Sequence, residues 1–310
     1  MSKTKQTTML FFQFDLYKTT EIARPGVFKS GETETVQKTT WNSSVFAPLL
    51  QKFNQSNESN SYLTLEDKTN NLTILLEDFK DDEEFIYGKF ILFEYGRVAP
   101  LRNAATFTRR ENPKTIQEGE EDYVHFLIRK KDGLLLLQYN QKLGRSKLLS
   151  FFTENFKTEI ENQEYFGFNI CSLIALDFFK EINSLDSIKG TKIEVSSKVA
   201  SDENEFIQSM QEEMESIESN MLQLYFKARY KNKSLRDVVP FVNKYKDKKG
   251  VTSIRVVGEQ NGIEKTLNMN NSAEKIKPRV DIDKNGNILS EKLYTASTDG
   301  IKNRELLNRK

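Results

Sequence analysis

Alternating hydrophobic and polar positions dominate the first half of the chain and predict short β-strands. Residues 9–17 form one such run, and further runs rich in β-branched and aromatic residues cover 62–65, 72–79 and 85–94. Residues 45–53 instead carry apolar side chains at helical spacing. This half of the chain is therefore predicted to form a mixed sheet with a few helices.

Two turn signals are clear in the sequence. Residues 123–129 and 134–139 flank Lys130-Lys131-Asp132-Gly133, and Asp-Gly is a favoured pair for a tight hairpin turn. A second turn is predicted at Asn285-Gly286, where the preceding acidic residues only partly match a calcium-binding loop. Both segments are therefore interpreted as hairpins.

One long amphipathic helix, 201–230, is predicted in the second half. Apolar side chains recur there at steps of four and three residues, which places them on one face of a helix: Phe206, Met210, Met214, Ile217, Met221 and Leu224. A helix of about 30 residues would be roughly 45 Å long. After Pro240 the pattern returns to strands, the last at 287–294. The expected fold class is α+β, with mixed or antiparallel sheets, this helix and two domains.

The length of the chain supports two hydrophobic cores. At 310 residues it exceeds the size at which a single core usually keeps growing. A polar run at 157–164 separates two apolar segments and marks a boundary. We predict an N-terminal α+β domain with basic segments over 1–157 and a C-terminal α+β domain over 165–310.

Residues that carry common catalytic chemistry are scarce. The chain has one histidine, His125, and one cysteine, Cys171, whereas metal and nucleophilic sites are usually built from clusters of these types. No catalytic residue, metal site or cofactor is therefore predicted, and the protein is expected not to be an enzyme. His125 lies on a predicted strand with no partner nearby in sequence, so it is interpreted as a core or edge residue.

The hydrophobic runs also predict a location. None approaches the ~20 residues needed to span a bilayer, and the N-terminal stretch is too short for a secretory signal and lacks a small-residue cleavage site. A cytoplasmic protein that does not itself span a membrane is expected.

Charge is balanced overall but uneven locally. With 46 Lys and Arg against 45 Asp and Glu, the global field does not steer the protein toward a polyanion. Local basic segments are therefore the predicted nucleic-acid contacts: Arg97, Arg102, Arg109, Arg110, Lys114, Arg129, Lys130, Lys131, Lys142, Arg145, Lys147, Lys227, Arg229, Lys231 and Lys233. The alternative is solvated surface charge. The stretch 144–147, where a helix is predicted to begin, is a candidate for holding a phosphate.

The predicted long helix is acidic over 202–218, and basic residues follow from 227 to 249. This distribution complements the helix dipole. It also fits antiparallel pairing of two copies, with a dimer interface at Met210, Met214, Ile217 and Met221. The sequence alone does not distinguish a core stripe from such an interface.

The order of the predicted elements resembles that of the RexA-like phage-exclusion proteins. The matching features are an N-terminal strand, the helix at 45–53, a strand at 85–97 that contains Gly88, a helix at 148–156 after a Gly-containing basic turn, a segment at 173–193, and late hairpins around Gly262 and Gly286. The layout is also similar to the family that includes the DNA-binding subunit of the Kiwa defence system.

This resemblance implies a cytoplasmic homodimer that binds double-stranded DNA with little sequence preference. It further implies a role in antiphage defence, through phage exclusion or abortive infection, and a membrane protein or another defence-system component as a partner. It carries no catalytic residues onto this chain.

Three functions follow as hypotheses. The first is a non-enzymatic, largely sequence-independent DNA-binding protein of antiphage defence. The second is a protein-binding inhibitor or adaptor, such as a phage-encoded blocker of a host defence enzyme, which would use the Met-rich stripe and aromatic surface. The third is a divalent-metal-dependent nuclease built from carboxylate–lysine clusters such as those at 66–68 and 77–80.

Overall fold

The computed structural model describes residues 3–23, 33–196, 205–219, 221–229, 233–246, 248 and 251–302. The chain divides into two compact units. Unit 1 comprises Met1–Ile170 and Ile276–Lys310, and unit 2 comprises Cys171–Lys275. These bounds differ from the predicted domains because the last segment of the chain returns to unit 1, where it adds a strand and a helix.

The strands are β1 (Thr4–Gln6), β2 (Met9–Ala23), β3 (Thr33–Thr40), β4 (Thr64–Asp67), β5 (Leu72–Asp81), β6 (Phe85–Glu94), β7 (Leu101–Arg102), β8 (Arg109–Arg110), β9 (Glu121–Arg129), β10 (Leu134–Gln138), β11 (Gly167–Ser172), β12 (Ser187–Ser196), β13 (Met221–Lys227), β14 (Val251–Gln260), β15 (Ile263–Asn268), β16 (Lys275–Ile276) and β17 (Arg279–Asp281). The helices are α1 (Phe46–Glu58), α2 (Arg145–Glu161), α3 (Leu176–Asn183), α4 (Glu205–Ser216), α5 (Val238–Tyr245) and α6 (Ser290–Ile301).

Unit 1 is built on one large sheet in the order β11-β2-β10-β9-β6-β5-β4. The pairs from β2 to β4 are antiparallel. The predicted hairpin at 123–139 is confirmed, since β9 and β10 pair with Ile128 opposite Leu135. Gly133 supplies the turn with φ of 75°. The sheets and helices together confirm the α+β class.

One face of this sheet buries a core rich in phenylalanine. Phe14 of β2 lies 5.6 Å from Phe46 of α1 and 5.1 Å from Phe152 of α2, measured between ring centroids. Alternate residues along each strand point into this core, which is the period-2 pattern that predicted the strands. Gly88 lets Phe126 approach, because an added Cβ would stand 2.1 Å from the Phe126 ring.

Helix α6 lies on the opposite face of the same sheet. Leu293, Tyr294 and Ile301 are buried, and the hydroxyl group of Tyr294 donates to the carbonyl oxygen of Gly88 at 2.9 Å. The predicted strand at 287–294 is therefore wrong in its second half, because the residues from Ser290 onward are helical. The turn before it is confirmed by a bridge between Ile282 and Ile288.

Unit 2 contains a four-stranded sheet in the order β13-β12-β14-β15. The predicted helix over 201–230 is wrong, because α4 ends at Ser216 and residues 221–227 form β13. Glu218 has a left-handed conformation with φ of 56°, and the N–H of Ser219 donates to the carbonyl oxygen of Met214. Both features close a helix C-terminus.

The sequence pattern of β13 explains this error. Leu222 and Leu224 are half-buried, while Met221, Gln223 and Tyr225 are exposed, which is a period of two. The helix prediction relied on apolar residues three and four positions apart, among them Met221 and Leu224. It left out Leu222, so the alternation along β13 was not recognised.

Candidate nucleic-acid interface

A small hairpin in unit 1, residues 101–110, carries three of the predicted contact residues. We call it the arginine hairpin. Strands β7 and β8 pair with Leu101 opposite Arg110 and Arg102 opposite Arg109. The side-chain oxygen of Asn103 accepts from the N–H groups of Ala105 and Thr106 at 2.8 and 2.9 Å, which fixes the loop locally.

The three arginines of this hairpin are exposed to solvent. Within the described part of the chain, no acidic side chain lies within ion-pair distance of Arg102, Arg109 or Arg110. The one side-chain hydrogen bond found for them runs from Nη1 of Arg102 to the carbonyl oxygen of Phe107 at 2.9 Å. Like charges directly opposite each other on paired strands are destabilising. Arg102 and Arg109 stand in that relation, so a bound anion would relieve a repulsion built into the hairpin.

Phe107 lies in the loop of the arginine hairpin and is 71% exposed. Its φ of 57° is left-handed, which is rare for a bulky side chain. A hydrogen bond from its N–H to the carbonyl oxygen of Asn103 holds this conformation. Strain of this kind concentrates at functional sites. Phe107 was not among the predicted contact residues, because these were chosen for their positive charge. Its position just before Arg109 and Arg110 was the signal in the sequence that could have identified it.

Arg97 and Lys114 flank the hairpin in sequence. Arg97 is exposed and forms no ion pair with any described residue. Lys114 is half-buried near Glu118. The pKa of Glu118 is lowered, chiefly by the hydrogen bonds from Thr115 and to a smaller degree by the charge of Lys114. Arg97 therefore extends the unpaired positive surface, while Lys114 is partly offset.

The basic residues of the β9–β10 turn are arranged differently. Arg129 is only 5% exposed. Its Nε and Nη2 atoms donate to the two carboxylate oxygens of Asp132 at 2.9 and 2.6 Å, and Nη1 donates to the carbonyl oxygen of Ile301 at 2.6 Å. Lys130 forms an ion pair with Asp81, whereas Lys131 is exposed. Arg129 is thus a structural residue and is withdrawn from the predicted contacts, because burial keeps it from a phosphate.

The stretch at 142–147 is also largely neutralised. Gly144 precedes α2 as predicted. Lys142 pairs with Glu94 at 3.3 Å and Lys147 with Asp67 at 2.9 Å. The hydrogen bond from Lys147, followed by one from Asn70, lowers the pKa of Asp67 to about 2. Arg145 is half-buried and has a polar partner of its own. Lys142 and Lys147, both predicted nucleic-acid contacts, are therefore already paired with carboxylates, and Lys147 is the lysine of the stretch predicted to hold a phosphate.

The remaining predicted contacts lie in unit 2. Lys227, Arg229 and Lys233 are exposed, and Lys227 ends β13. Arg229 has a polar or charged partner. Lys231 lies outside the described residues.

The predicted dimer interface is not assembled as one helical stripe. Met214 is 2% exposed and packs in the core of unit 2. Met210 is half-buried on α4. Ile217 and Met221 are 74% and 61% exposed, but they lie on the turn after α4 and on β13. The stripe is divided because α4 stops before its second half.

Several further observations bear on function. Among the described residues, no group of three or more His, Cys, Asp or Glu side chains could hold a metal ion. No helix in that part of the chain is long and apolar enough to cross a membrane. No family model and no curated protein matches the sequence. The arrangement of the side chains is therefore the main basis for a functional proposal.

Proposed function

We propose that the protein binds double-stranded DNA without reacting with it and with little sequence preference, and that the arginine hairpin contacts the phosphate backbone. The observation that carries this proposal is the group of three exposed arginines, for which the described residues provide no carboxylate partner. Guanidinium groups donate paired hydrogen bonds that match the geometry of a phosphate. Contacts to phosphate position a protein on DNA but do not read its sequence.

The shape of the hairpin supports the same function. A two-stranded ribbon fits the major groove of B-form DNA. Arg102 and Arg109 share one face of the ribbon and Arg110 the other, so the guanidinium groups can reach phosphates on both sides of a groove. Phe107 at the loop would then lie against the base edges, where a phenylalanine can contact the methyl group of thymine.

The biological setting is proposed from the resemblance to the RexA-like and Kiwa-associated families. We place the DNA binding in antiphage defence, by phage exclusion or abortive infection, in the cytoplasm. A homodimer and a membrane-associated or other defence-system partner belong to the same proposal. The near-neutral net charge makes affinity depend on the local cluster rather than on the whole molecule.

The test is a charge-reversal triple variant, Arg102→Glu, Arg109→Glu and Arg110→Glu. Its matched control reverses three exposed lysines of unit 1: Lys68, Lys284 and Lys292. Fluorescence anisotropy with a duplex oligonucleotide should show a large loss of affinity for the hairpin variant alone. The slope of log K against log salt should fall by about 2.7, at about 0.9 per phosphate contact.

Equal losses in both triple variants would assign binding to net charge and reject the hairpin as the site. Unchanged binding by the hairpin variant would reject it as well. Circular dichroism and thermal unfolding establish that both variants retain the fold.

A second candidate function, binding to another protein, is favoured by the edge of the unit 2 sheet. β13 lies at that edge, and Met221, Tyr225 and Phe226 on it are 61%, 45% and 41% exposed. An edge strand with apolar side chains can accept a strand from a partner. Binding of this kind would change little between low and high salt, which separates it from the DNA proposal.

The nuclease hypothesis is tested separately. Intact plasmid after incubation with the protein and Mg²⁺ or Mn²⁺ would reject it, and nicking that persists through purification steps would support it.

A further inference from the structure

The only histidine of the chain is buried between two hydrogen-bonding side chains in unit 1. His125 lies on β9, on the sheet face that α6 covers, and is 1% exposed. Its Nδ1 atom lies 2.7 Å from Oε1 of Gln138 on β10. Its Nε2 atom lies 2.9 Å from Oγ of Ser290, the first residue of α6. The fold thus brings Ser290 to two residues of the β9–β10 hairpin that are more than 150 positions away in sequence.

A backbone hydrogen bond fixes the orientation of the Gln138 amide and, through it, the tautomer of His125. The N–H of His125 also donates to Oε1 of Gln138, at 3.2 Å. Because a backbone N–H can only donate, the Gln138 atom at this position must be the carbonyl oxygen. Nδ1 of His125 must then carry the proton and donate to the same oxygen. Nε2 is left with a lone pair, so the hydroxyl group of Ser290 donates to it.

The surroundings keep the imidazole neutral. Burial is the main cause that lowers the pKa of His125, and the positive charge of Lys89 on the adjacent strand lowers it further. The hydrogen bond to Gln138 and the carboxylates of Asp78 and Glu77 act in the opposite direction. A neutral ring with a free Nε2 lone pair is the form that acts as a general base.

We propose that Ser290 is a nucleophile activated by His125, with Gln138 positioning the ring, and that this site accepts acyl groups from small esters. Ser290 is half-buried, so its residue reaches the surface although His125 does not. The proposal is independent of DNA binding. A hydroxyl group, an imidazole and a group that orients the imidazole are arranged in the same order in hydrolase triads. In this protein the orienting group is the amide of Gln138, where a carboxylate is more usual.

The chemical step balances within the site. Oγ of Ser290 bonds to the carbonyl carbon of the ester, and its proton passes to Nε2 of His125. The C–O bond to the leaving group breaks, and the alkoxide takes that proton and departs as an alcohol. Water then attacks the acyl-serine while Nε2 of His125 accepts its proton. The bond between the acyl carbon and Oγ breaks, and His125 returns the proton to Oγ, which releases the acid and restores the Ser290 hydroxyl group. A neutral amide stabilises the imidazolium less than a carboxylate would, so slow turnover is expected.

The experiment uses the full chain and a fluorophosphonate probe, which reacts with activated serines. Intact-mass measurement should show one adduct, and peptide mapping should place it on Ser290. Ser290→Ala should remove the adduct. Ser146→Ala is the matched control, since Ser146 also lies in the first turn of a helix and has no histidine available. Incubation with p-nitrophenyl acetate should add one acetyl group at the same position.

Two variants test the relay itself. His125→Gln should slow labelling by about 100-fold, in the range that general-base catalysis contributes. Gln138→Glu preserves the side-chain shape and should speed labelling, because a carboxylate stabilises the imidazolium. The proposal would be overturned if wild-type protein is not labelled, or if the labelling rate is unaffected by His125→Gln or by Gln138→Glu. The three side chains would then have only a structural role, holding α6 against the sheet. If His125→Gln does not fold, the Gln138→Glu rate decides.

Discussion

Two hairpins of unit 1 have similar basic sequences and opposite electrostatic environments. In the β9–β10 turn, Arg129 is buried against Asp132 and Lys130 is paired with Asp81. In the arginine hairpin, Arg102 and Arg109 stand opposite each other with no carboxylate near them among the described residues. The first arrangement makes its cations part of the folded structure, whereas the second leaves two like charges facing each other in solvent.

This difference shows what a cluster of basic residues can mean. A guanidinium group that satisfies a carboxylate and a backbone carbonyl is part of the structure, and its removal leaves buried partners unsatisfied. An exposed guanidinium group with a like charge opposite contributes little to folding. It is available to an external anion. Stability and binding measurements should therefore separate the two hairpins.

The largest expected effect is on stability, for Arg129→Ala. Removing one partner of a fully buried ion pair costs about 3–5 kcal/mol. Because the Asp132 side chain is 22% exposed, we expect the lower end of this range. Asp132 and the carbonyl oxygen of Ile301 would both lose a donor. Urea unfolding should show this loss, whereas the exposed Lys131→Ala control should change stability by less than about 0.5 kcal/mol. Similar values for both variants would remove the distinction between the hairpins.

The next effect is on binding, for Arg109→Ala. A hydrogen bond to a charged partner contributes about 1.5–3 kcal/mol, which corresponds to roughly ten-fold or more in Kd. The free energy of unfolding should stay within about 0.5 kcal/mol of wild type, since Arg109 is exposed. Anisotropy titrations and urea unfolding on the same preparation give both numbers. A stability loss as large as that of Arg129→Ala would contradict the assignment of Arg109 as a binding residue.

Phe107→Gly should separate strain from binding within the arginine hairpin. Glycine adopts the left-handed conformation without steric cost, so thermal stability should rise slightly or stay unchanged. Loss of an aromatic contact with a base should weaken DNA binding by about 1–3 kcal/mol. Phe107→Tyr, which keeps the ring, is the control for binding. If the Phe107→Gly variant binds DNA as tightly as the wild-type protein, the loop of the arginine hairpin does not contact the bases.

The fold was predictable where the sequence pattern was long and regular. The β9–β10 hairpin combined alternating strands with an Asp-Gly turn, and both signals pointed to the same structure. The prediction of one helix over 201–230 was wrong because several apolar residues fit helical spacing by coincidence. The polar residues at 218–220, which are typical of a helix end, were not given enough weight. The start of α6 was missed because Asn287 to Tyr294 reads equally well as a strand when its packing partner is unknown.

The sequence was sufficient to identify the basic residues of the candidate site. It did not show which of them remain exposed and unpaired in the folded protein. The partners of Lys142 and Lys147 come from β6 and β4, far away in sequence, so no local pattern reveals that these charges are neutralised. The group around His125 has the same origin, with Ser290 being 165 positions away. Sequence identifies charged residues, whereas the sheet register decides which of them remain unpaired.

The smallest expected effect concerns a partly exposed pair, Lys147 with Asp67, and depends on pH. The pKa of Asp67 falls from 3.8 to about 2 in the folded protein. Its ionised form therefore stabilises the fold above about pH 4, and that contribution is lost as the pH falls toward 2. Both side chains are partly exposed, so Asp67→Asn should cost less than about 1 kcal/mol at pH 7. The difference from wild type should vanish near pH 2 in urea unfolding. The same variant frees Lys147 and should slightly strengthen DNA binding, if an unpaired cation rather than a basic sequence is what DNA recognises.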